Sequence, residues 1–268
     1  MRLGHIVYSN CFPVHGRLLD RPRAGDPVLV AGTPSLLNGL LRRGEIDVAP
    51  SSSIEYALNA DRYRILPDLV IGSRGPVRSI IFVADRDPAH LEGTVVAIPT
   101  ASATSVVLLK ILLATRWRSS VTFRWFDQAA EDPFASGASA ALFIGDVALR
   151  PDLHNDRPVR LDLGREWWEE TGLPFAFAIW QAGSGSVDAL RSLHATLLEA
   201  RELGESDRAR LAARYSAHFG MPADELERYW ADLKYRLDPE MIAGLRRFYE
   251  LAAEIGELEG VPELRWIT

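Results

Sequence analysis

Short apolar runs alternate with helical patterns through the first two-thirds of the chain. Runs of β-branched and aliphatic residues between turn residues are typical of strands, and their alternation with helices is typical of α/β units. The pattern predicts an α/β fold with strands at Arg2–Tyr8, Pro27–Ala31, Ile46–Ala49, Arg78–Ala84, Thr94–Ile98, Val121–Trp125, Ala140–Ile144 and Phe175–Trp180.

Capping residues mark several helices. Thr33-Pro34 combines a capping side chain with proline at the first helical position, and Gly44 is a typical helix end. The pattern also predicts a short helix at Ser53–Asn59. From about Ser186 onward nearly all of the chain has a helical pattern, and Asp238-Pro239 begins the final long helix.

Two interruptions divide the predicted α/β units into two lobes. Asp85–Pro88 is polar and contains proline, and Ala182–Ser186 is rich in glycine and serine. We therefore expect residues 85–176 to form an inserted second α/β lobe. Residues 1–84 plus 177–268 would form the first lobe, which includes the C-terminal helices.

The chain would cross between these two lobes twice, near residues 84 and 178. The two crossings would act as a hinge, and a ligand would bind in the cleft between the lobes. The alternative arrangement is a single doubly wound sheet that runs through the whole α/β part.

The overall composition is that of a globular protein with a sizeable core. Of the 268 residues, 47% are apolar and 25% are charged, which suits one large domain or two small ones. The net charge of −6 argues against a nucleic-acid partner. The apolar runs are too short to cross a bilayer, and the first residues lack the pattern of a signal peptide. We therefore expect a cytoplasmic protein with no membrane partner, and the oligomeric state stays open.

The residue types that usually hold metals and nucleotides form no recognisable motif. Cys11 is the single cysteine, which excludes an internal disulfide and a cysteine-cluster metal site. The six histidines show no metal-ligand spacing, and no phosphate-binding glycine motif occurs. We therefore expect no metal and no cofactor. Hydroxyls, amides and backbone groups would form the site, which suits the binding of an organic anion.

Small residues open the helix that follows the predicted strand Thr94–Ile98. The segment Thr100–Ser105 leads directly into an apolar helical run. The unpaired N–H groups at a helix start attract a carboxylate or phosphate, and small side chains let the anion approach them. Ser102, Thr104 and Ser105 are therefore candidate substrate-binding residues, although Ser102 would equally serve as a simple helix cap.

Polar residues also follow the first and third predicted strands, and ligands of open α/β sheets bind beyond the carboxyl ends of strands. Asn10 offers a donor and an acceptor in one plane, or else forms a turn before Pro13. Ser51 and Ser52 are candidate substrate-binding residues after the third strand. Ser52 also fits a capping box with Glu55, whereas Ser51 has no such capping duty.

Three further candidates lie at the ends of strands near the predicted cleft. Ser79 lies where the hinge strand enters the cleft, and Gly145 and Asp146 directly follow the strand Ala140–Ile144. Gly145 permits a close approach of backbone or ligand. Asp146 would cap the next turn or orient another group of the site.

Several segments, taken in order, resemble the chorismate dehydratase family of the futalosine route to menaquinone. The helical C-terminal part offers little to match, and Cys11 and Phe12 stand where the resemblance leads us to expect aliphatic residues. The matching segments span most of the first two-thirds of the chain and comprise Gly4–Asn10 with Pro13, Asp47–Tyr56, Ser102–Ser105, Ile144–Asp146, and Asp162–Gly164 through Thr171–Phe175.

The resemblance implies a two-lobed type II periplasmic-binding-protein-like fold with a hinge and a helical C-terminal segment. It also implies an enzyme, a hydro-lyase that removes water from chorismate to give 3-[(1-carboxyvinyl)oxy]benzoate in menaquinone biosynthesis. The family's active-site asparagine falls on Asn10, its serine loop on Ser51 and Ser52, and its helix-opening loop on Ser102, Thr104 and Ser105.

The residues fit this chemistry, since chorismate is a dianion and loss of water makes its ring aromatic. Helix-end amides and serine hydroxyls would hold the two carboxylates. The sequence offers no evident strong base. We therefore hypothesise that the substrate's own enolpyruvyl carboxylate accepts the ring proton while Asn10 orients it.

Three other functions stay open at this point. A solute-binding protein of the same fold would bind a small organic anion without turnover. The sibling enzyme dihydroxynaphthoate synthase would need a base for a carbon-bound proton, and His90 and His154 are the histidines of the second lobe. A regulatory ligand-binding domain is the third alternative, but no DNA-binding segment accompanies it.

Overall fold

The structure of the chain is a computed structural model that describes residues 1–150, 152–153 and 156–267. Short 3-10 turns lie at Ser9–Cys11, Pro88–His90 and Gly145–Val147. The strands of the described part are β1 (Arg2–Ile6), β2 (Val28–Gly32), β3 (Val48–Ser52), β4 (Arg64–Ser73), β5 (Ile80–Ala84), β6 (Val95–Pro99), β7 (Thr122–Phe126), β8 (Ala140–Ile144), β9 (Val159–Asp162), β10 (Phe175–Ala182) and β11 (Leu233–Lys234). The helices are α1 (Phe12–Asp20), α2 (Pro34–Arg42), α3 (Ser53–Leu58), α4 (Thr104–Thr115), α5 (Leu163–Thr171), α6 (Val187–Ser206), α7 (Arg208–Phe219), α8 (Ala223–Asp232) and α9 (Pro239–Glu254).

The strands form two separate sheets, one in each lobe. The first sheet has the order β11-β4-β10-β3-β1-β2, in which β1 runs parallel to β2 and β3. The second sheet has the order β7-β6-β8-β5-β9, in which β6 runs parallel to β7 and β8. The described residues therefore form two lobes as expected, and a single continuous sheet is excluded.

The predicted boundary at residue 84 is wrong by one strand. Strand β5 pairs with β8 and β9, so it belongs to the second sheet. The chain leaves the first sheet after Ser73, crosses through residues 74–79, and returns to it with β10 at Phe175. The apolar pattern of residues 78–84 predicts a buried strand correctly, but a local pattern does not specify its pairing partner.

The sequence pattern missed β4, β9 and β11. Strand β4 contains Pro67, and its Asp68 has a φ of 55°, which interrupts the regular alternation of a strand. Its pairing with β10 shifts register between Ile65 and Val70, where these interruptions lie. Because alternation is the main sign of a strand in a sequence, such an irregular strand is easily overlooked.

Three predicted helix starts are confirmed by their caps. The Thr33 side chain accepts a hydrogen bond from the Leu36 amide at the start of α2. Ser186 caps α6 in the same way, and Asp238 accepts a hydrogen bond of 2.9 Å from the Met241 amide at the start of α9. Local capping chemistry is visible in the sequence because donor and acceptor lie three residues apart.

The C-terminal helices pack onto the first lobe. Helix α6 lies against α1, where Gly204 contacts the Pro13 carbonyl so closely that a Cβ atom has no room. Helix α9 packs on β10 of the first sheet. In the part of the chain that the structure describes, no helix is long and apolar enough to cross a membrane.

Candidate active site

The carboxyl ends of four strands meet at the cleft between the lobes. Strands β1 and β3 are parallel, so both end at the same edge of the first sheet. Strands β6 and β8 are parallel and end at one edge of the second sheet. The segments that follow these strands contain most of the predicted site residues, as the rule for ligands of α/β sheets leads one to expect.

Asp146 joins the two lobes through Ser9. The Ser9 amide donates to both carboxylate oxygens of Asp146, at 3.1 and 3.2 Å, and the Ser9 hydroxyl donates to the same carboxylate. Ser9 follows β1 in the first lobe, whereas Asp146 follows β8 in the second. The two roles expected for Asp146, as a cap of the next turn or as an orienting group, stay predictions. The sequence reasoning missed Ser9, although it lies beside Asn10 in the same loop.

Burial raises the pKa of the Asp146 carboxyl above its ordinary value. The hydrogen bonds from Ser9 and the nearby His218 act in the opposite direction, because they favour the charged carboxylate. Burial thus removes part of the hydration of the charged Asp146 carboxylate, and the hydrogen bonds from Ser9 replace part of that lost stabilisation. Any change that removes the Ser9 donors leaves this carboxylate without its main compensation.

Asn10 has a free side-chain acceptor in the turn that links β1 to α1. Its backbone carbonyl accepts a hydrogen bond of 3.0 Å from the Tyr235 hydroxyl. Its side-chain Oδ1 is buried and has no hydrogen-bond partner within the described part of the chain. A buried polar atom without a partner costs free energy and needs an explanation, and a catalytic role is one such explanation.

Gly145 and Ser79 lie side by side at the cleft end of the second sheet. The Gly145 amide donates to the Ser79 carbonyl at 2.9 Å, and the Ser79 hydroxyl accepts a 2.8 Å hydrogen bond from the Tyr229 hydroxyl. Gly145 has a φ of 65°, and a Cβ atom there would lie 2.9 Å from the ring of Tyr8 in the first lobe. Glycine is therefore required both by the backbone conformation and by the close approach of the lobes.

The start of α4 contacts the start of α3 across the cleft. The Ser102 hydroxyl accepts from the Ser105 amide at 3.4 Å, which is the capping role expected for Ser102. The Thr104 hydroxyl accepts from the Ile54 amide at 3.3 Å. Ser102, Thr104 and Ser105 are all buried, so this helix start lies inside the closed cleft.

Ser51 and Ser52 are held by polar side chains of the first lobe. The Ser51 hydroxyl donates to Asn38 Oδ1 at 2.7 Å, and the same oxygen accepts from the Ser52 amide at 3.1 Å. Gln181 Nε2 donates to the carbonyls of both serines, at 3.1 and 3.0 Å. The Ser51 hydroxyl therefore has a structural partner in Asn38, and its role in substrate binding stays a prediction.

The predicted capping box of Ser52 and Glu55 is wrong. The Ser52 side chain makes no cap hydrogen bond, and the Glu55 carboxylate is paired with Arg42 and Tyr63. The spacing of serine and glutamate is the one that a capping box needs. Arg42, which lies 13 residues earlier in the chain, donates to the Glu55 carboxylate instead.

Three ligand-type residues meet directly behind the Asn10 turn. His5 Nδ1 lies 3.1 Å from His15 Nδ1, and Cys11 Sγ lies 3.5 Å from the same atom. The spacing of the histidines in the sequence did not indicate this cluster, whose three donor atoms lie within 4.8 Å of one another. Burial lowers the pKa of His5 to about 4 and lowers that of His15, while it raises the pKa of Cys11 to about 12.

All three groups are thus neutral near pH 7 and hydrogen bond to one another. Phe12 packs edge-on against His5, and Trp180 packs edge-on against His15. Cys11 and Phe12 are both buried in the hydrophobic core. The three side chains thus pack beneath the Asn10 turn, and the absence of a metal here stays a prediction.

Comparison with known proteins assigns the family. A sequence model of a family described as menaquinone biosynthesis matches residues 1–254. The chain is 30% identical over 263 residues to a chorismate dehydratase from Thermus thermophilus, covering 92% of this chain and 93% of that protein. It is 31% identical over 182 residues to a chorismate dehydratase from Campylobacter jejuni, covering 66% of each chain.

Solved structures share the fold. A protein from Archaeoglobus fulgidus aligns with a TM-score of 0.78 at 18% identity, covering 96% of this chain and 98% of that one. The periplasmic aliphatic sulphonate binding protein SsuA from Escherichia coli aligns with a TM-score of 0.66 at 18% identity, covering 98% and 90%. The expected periplasmic-binding-protein-like fold is confirmed. The family match over residues 1–254 and the 30% identity to the Thermus thermophilus protein over 92% of this chain show that the chain belongs to the chorismate dehydratase family of menaquinone biosynthesis.

Proposed function

We propose that this chain is a chorismate dehydratase, a hydro-lyase that converts chorismate into 3-[(1-carboxyvinyl)oxy]benzoate. The family membership and the names of the two relatives support the reaction. The observation that carries the site assignment is the buried, unpartnered Oδ1 of Asn10, whose neighbour Ser9 donates to Asp146 of the second lobe. An amide held there is suited to orienting a substrate enclosed by both lobes.

The reaction breaks one ring C–H bond and one ring C–O bond, and the ring becomes aromatic. The proton and the hydroxide leave together as water, so neither an oxidant nor a reductant takes part. We propose that the enolpyruvyl carboxylate of the substrate accepts the ring proton and then passes it to the departing hydroxyl oxygen, so that water leaves and the carboxylate is restored. Asn10 holds this carboxylate in place through its amide N–H group, and its amide oxygen accepts from the departing hydroxyl group.

The start of α4 is the proposed site for a substrate carboxylate. Its first backbone amides and the hydroxyls of Ser102, Thr104 and Ser105 form a neutral, donor-rich surface inside the cleft. The helix dipole adds a partial positive charge there. Thr104 also contacts the first lobe, so lobe closure and anion binding would reinforce each other.

The remaining candidates would act mainly by shaping the closed cleft. Asp146 ties the lobes together through Ser9, and Gly145 allows their close contact. Ser79 supports Gly145 through its backbone carbonyl. Ser51 and Ser52 would act by fixing the position of the backbone. The Ser51 hydroxyl is not free to donate to substrate, because it donates a hydrogen bond to Asn38.

The alternatives gain little support from the geometry. His90 is exposed in a turn before β6, at the opposite end of that strand from the cleft, so it is poorly placed to act as a base. His154 lies outside the described residues. A solute-binding protein would hold chorismate unchanged, and this distinction requires an assay of turnover.

The test is incubation of the purified protein with chorismate, with the product identified by mass and ultraviolet spectrum. Release of water, a loss of about 18 Da, supports the proposal, whereas binding without any product overturns it. Asn10→Ala is expected to lower kcat far more than it weakens binding, because its interaction is needed mainly in the transition state.

Asn10→Asp separates catalysis from turn formation. Aspartate keeps the size and a turn-forming oxygen, but its charge repels a dianionic substrate. We expect a stable Asn10→Asp variant with impaired turnover. A stable and fully active variant would contradict the role assigned to Asn10.

A further inference from the structure

The C-terminal part of the chain reaches into the cleft and holds the Asn10 turn. Trp230 Nε1 in α8 donates to the Ser9 carbonyl at 2.8 Å. The Tyr235 hydroxyl, just after β11, donates to the Asn10 carbonyl at 3.0 Å. Both aromatic side chains are almost completely buried, so these hydrogen bonds are shielded from water.

These two donors fix consecutive carbonyl groups of one short turn. The Ser9 amide, on the same turn, is held from the second lobe by Asp146. The backbone on either side of the Asn10 side chain is therefore restrained from both lobes. The direction of a side chain follows from its backbone and a small set of rotamers, so restraint of the turn restrains the Asn10 amide.

The hydroxyl of Tyr235 remains a proton donor under ordinary conditions. Burial raises the pKa of this tyrosine well above its usual value, so it stays protonated at neutral pH. Tyr229, one residue before Trp230, donates to the Ser79 hydroxyl at the first crossing between the lobes. The same C-terminal segment thus contacts the turn and the crossing that flank the cleft.

We propose that Trp230 and Tyr235 are positioning residues of the reaction, which hold the Asn10 turn in its productive orientation through the Ser9 and Asn10 carbonyls. The proposal rests on the role of Asn10 given above. If it is correct, changes in the C-terminal segment alter turnover, whereas changes in a purely structural extension would alter stability alone.

Tyr235→Phe removes the hydroxyl and keeps the ring, so it tests the hydrogen bond alone. We expect kcat to fall about tenfold with KM nearly unchanged, because the restraint matters most when the substrate reaches the transition state. Trp230→Phe is expected to act in the same direction, and it provides a second test if Tyr235→Phe folds poorly.

Tyr56→Phe is the matched control. Tyr56 is equally buried. Its hydroxyl donates to the Glu263 carbonyl at 2.8 Å and accepts from the Arg265 amide at 2.7 Å, away from the turn. This variant is expected to lose thermal stability and keep its kcat. The proposal is overturned if Tyr235→Phe and Trp230→Phe lose stability as the control does while kcat stays within about twofold of wild type.

A double variant distinguishes this proposal from the role of Asn10. If Tyr235 acts through Asn10, Tyr235→Phe should lower kcat much less in the Asn10→Ala background than in wild type. Equal losses in both backgrounds would overturn the positioning role alone. A fully active Asn10→Ala variant would instead overturn the assignment of Asn10, and the positioning role with it.

Discussion

Gly145→Ala should separate the lobes without unfolding the protein. The new Cβ would lie 2.9 Å from the Tyr8 ring, whereas ordinary van der Waals contact begins at 3.4 Å. Tyr8 belongs to the first lobe and Gly145 to the second, so a small opening of the cleft relieves the contact. The lobes must move apart locally by about 0.5 Å, the difference between these distances.

This opening is enough to weaken the link between Ser9 and Asp146. A hydrogen bond of 3.1 Å that lengthens by about 0.5 Å is no longer an effective hydrogen bond. Loss of a hydrogen bond to a charged group costs about 2 kcal/mol, which lowers kcat/KM about 30-fold if the closed cleft is the reactive form. The left-handed backbone adds about 1 kcal/mol to the loss of stability.

Gly172→Ala is the control for the backbone effect. Gly172 has a φ of 68°, close to the 65° of Gly145, and a Cβ atom there would contact nothing within 4 Å. Both variants should lose a few degrees of Tm, about 2–4 °C for 1 kcal/mol. Only Gly145→Ala should lose turnover, measured as chorismate consumed per folded molecule.

The reasoning fails if the two alanine variants have the same kcat/KM. That result would mean that the contact between Gly145 and Tyr8 does not limit closure, or that closure does not limit turnover. Small-angle scattering with and without chorismate would separate these cases, because it reports opening of the lobes directly.

Three further predictions concern the anion site, pH and metals. Ser105→Asp should leave the fold intact and weaken chorismate binding sharply, because it places a negative charge at the proposed carboxylate site; unchanged affinity by calorimetry would move that site elsewhere. In the folded protein the pKa of His5 is about 4, whereas in the unfolded chain it is 6.5. The unfolded chain therefore takes up a proton at higher pH, so acidification favours unfolding. Between pH 7 and pH 4, the unfolding free energy of wild type should therefore fall by about 3 kcal/mol more than that of His5→Gln, and equal slopes in denaturant titrations would contradict the burial argument. Dialysis against a chelator should leave kcat unchanged; activity that is lost and then restored by a divalent ion would show that the trio of His5, Cys11 and His15, or another site, holds a required metal.

The sequence predicted the elements whose causes are local. Thr33, Ser186 and Asp238 mark helix starts because each capping side chain accepts a hydrogen bond from a backbone amide only three residues later. Most strands were predicted for a similar reason, since apolar alternation between turn residues is a property of a short segment. The irregular β4, with Pro67 and Asp68, lacks that alternation and was missed.

The candidate loops were also visible in the sequence, because polar and small residues directly follow apolar strands. The ordered resemblance to one family then selected among them, and the family is confirmed. The roles assigned to Asn10 and to the start of α4 remain predictions. Ser51 shows the limit of this reasoning, because its hydroxyl lies in the predicted loop yet donates to Asn38.

Only the tertiary structure decided which sheet β5 joins and which groups hold the Asn10 turn. Asp146 lies 137 residues from Ser9, and Trp230 lies 221 residues from it. A tryptophan N–H or an aspartate carboxylate has the same chemistry wherever the chain carries it. Which of them meets a given carbonyl or amide depends on how the two sheets and the C-terminal helices pack, and no local pattern specifies that packing.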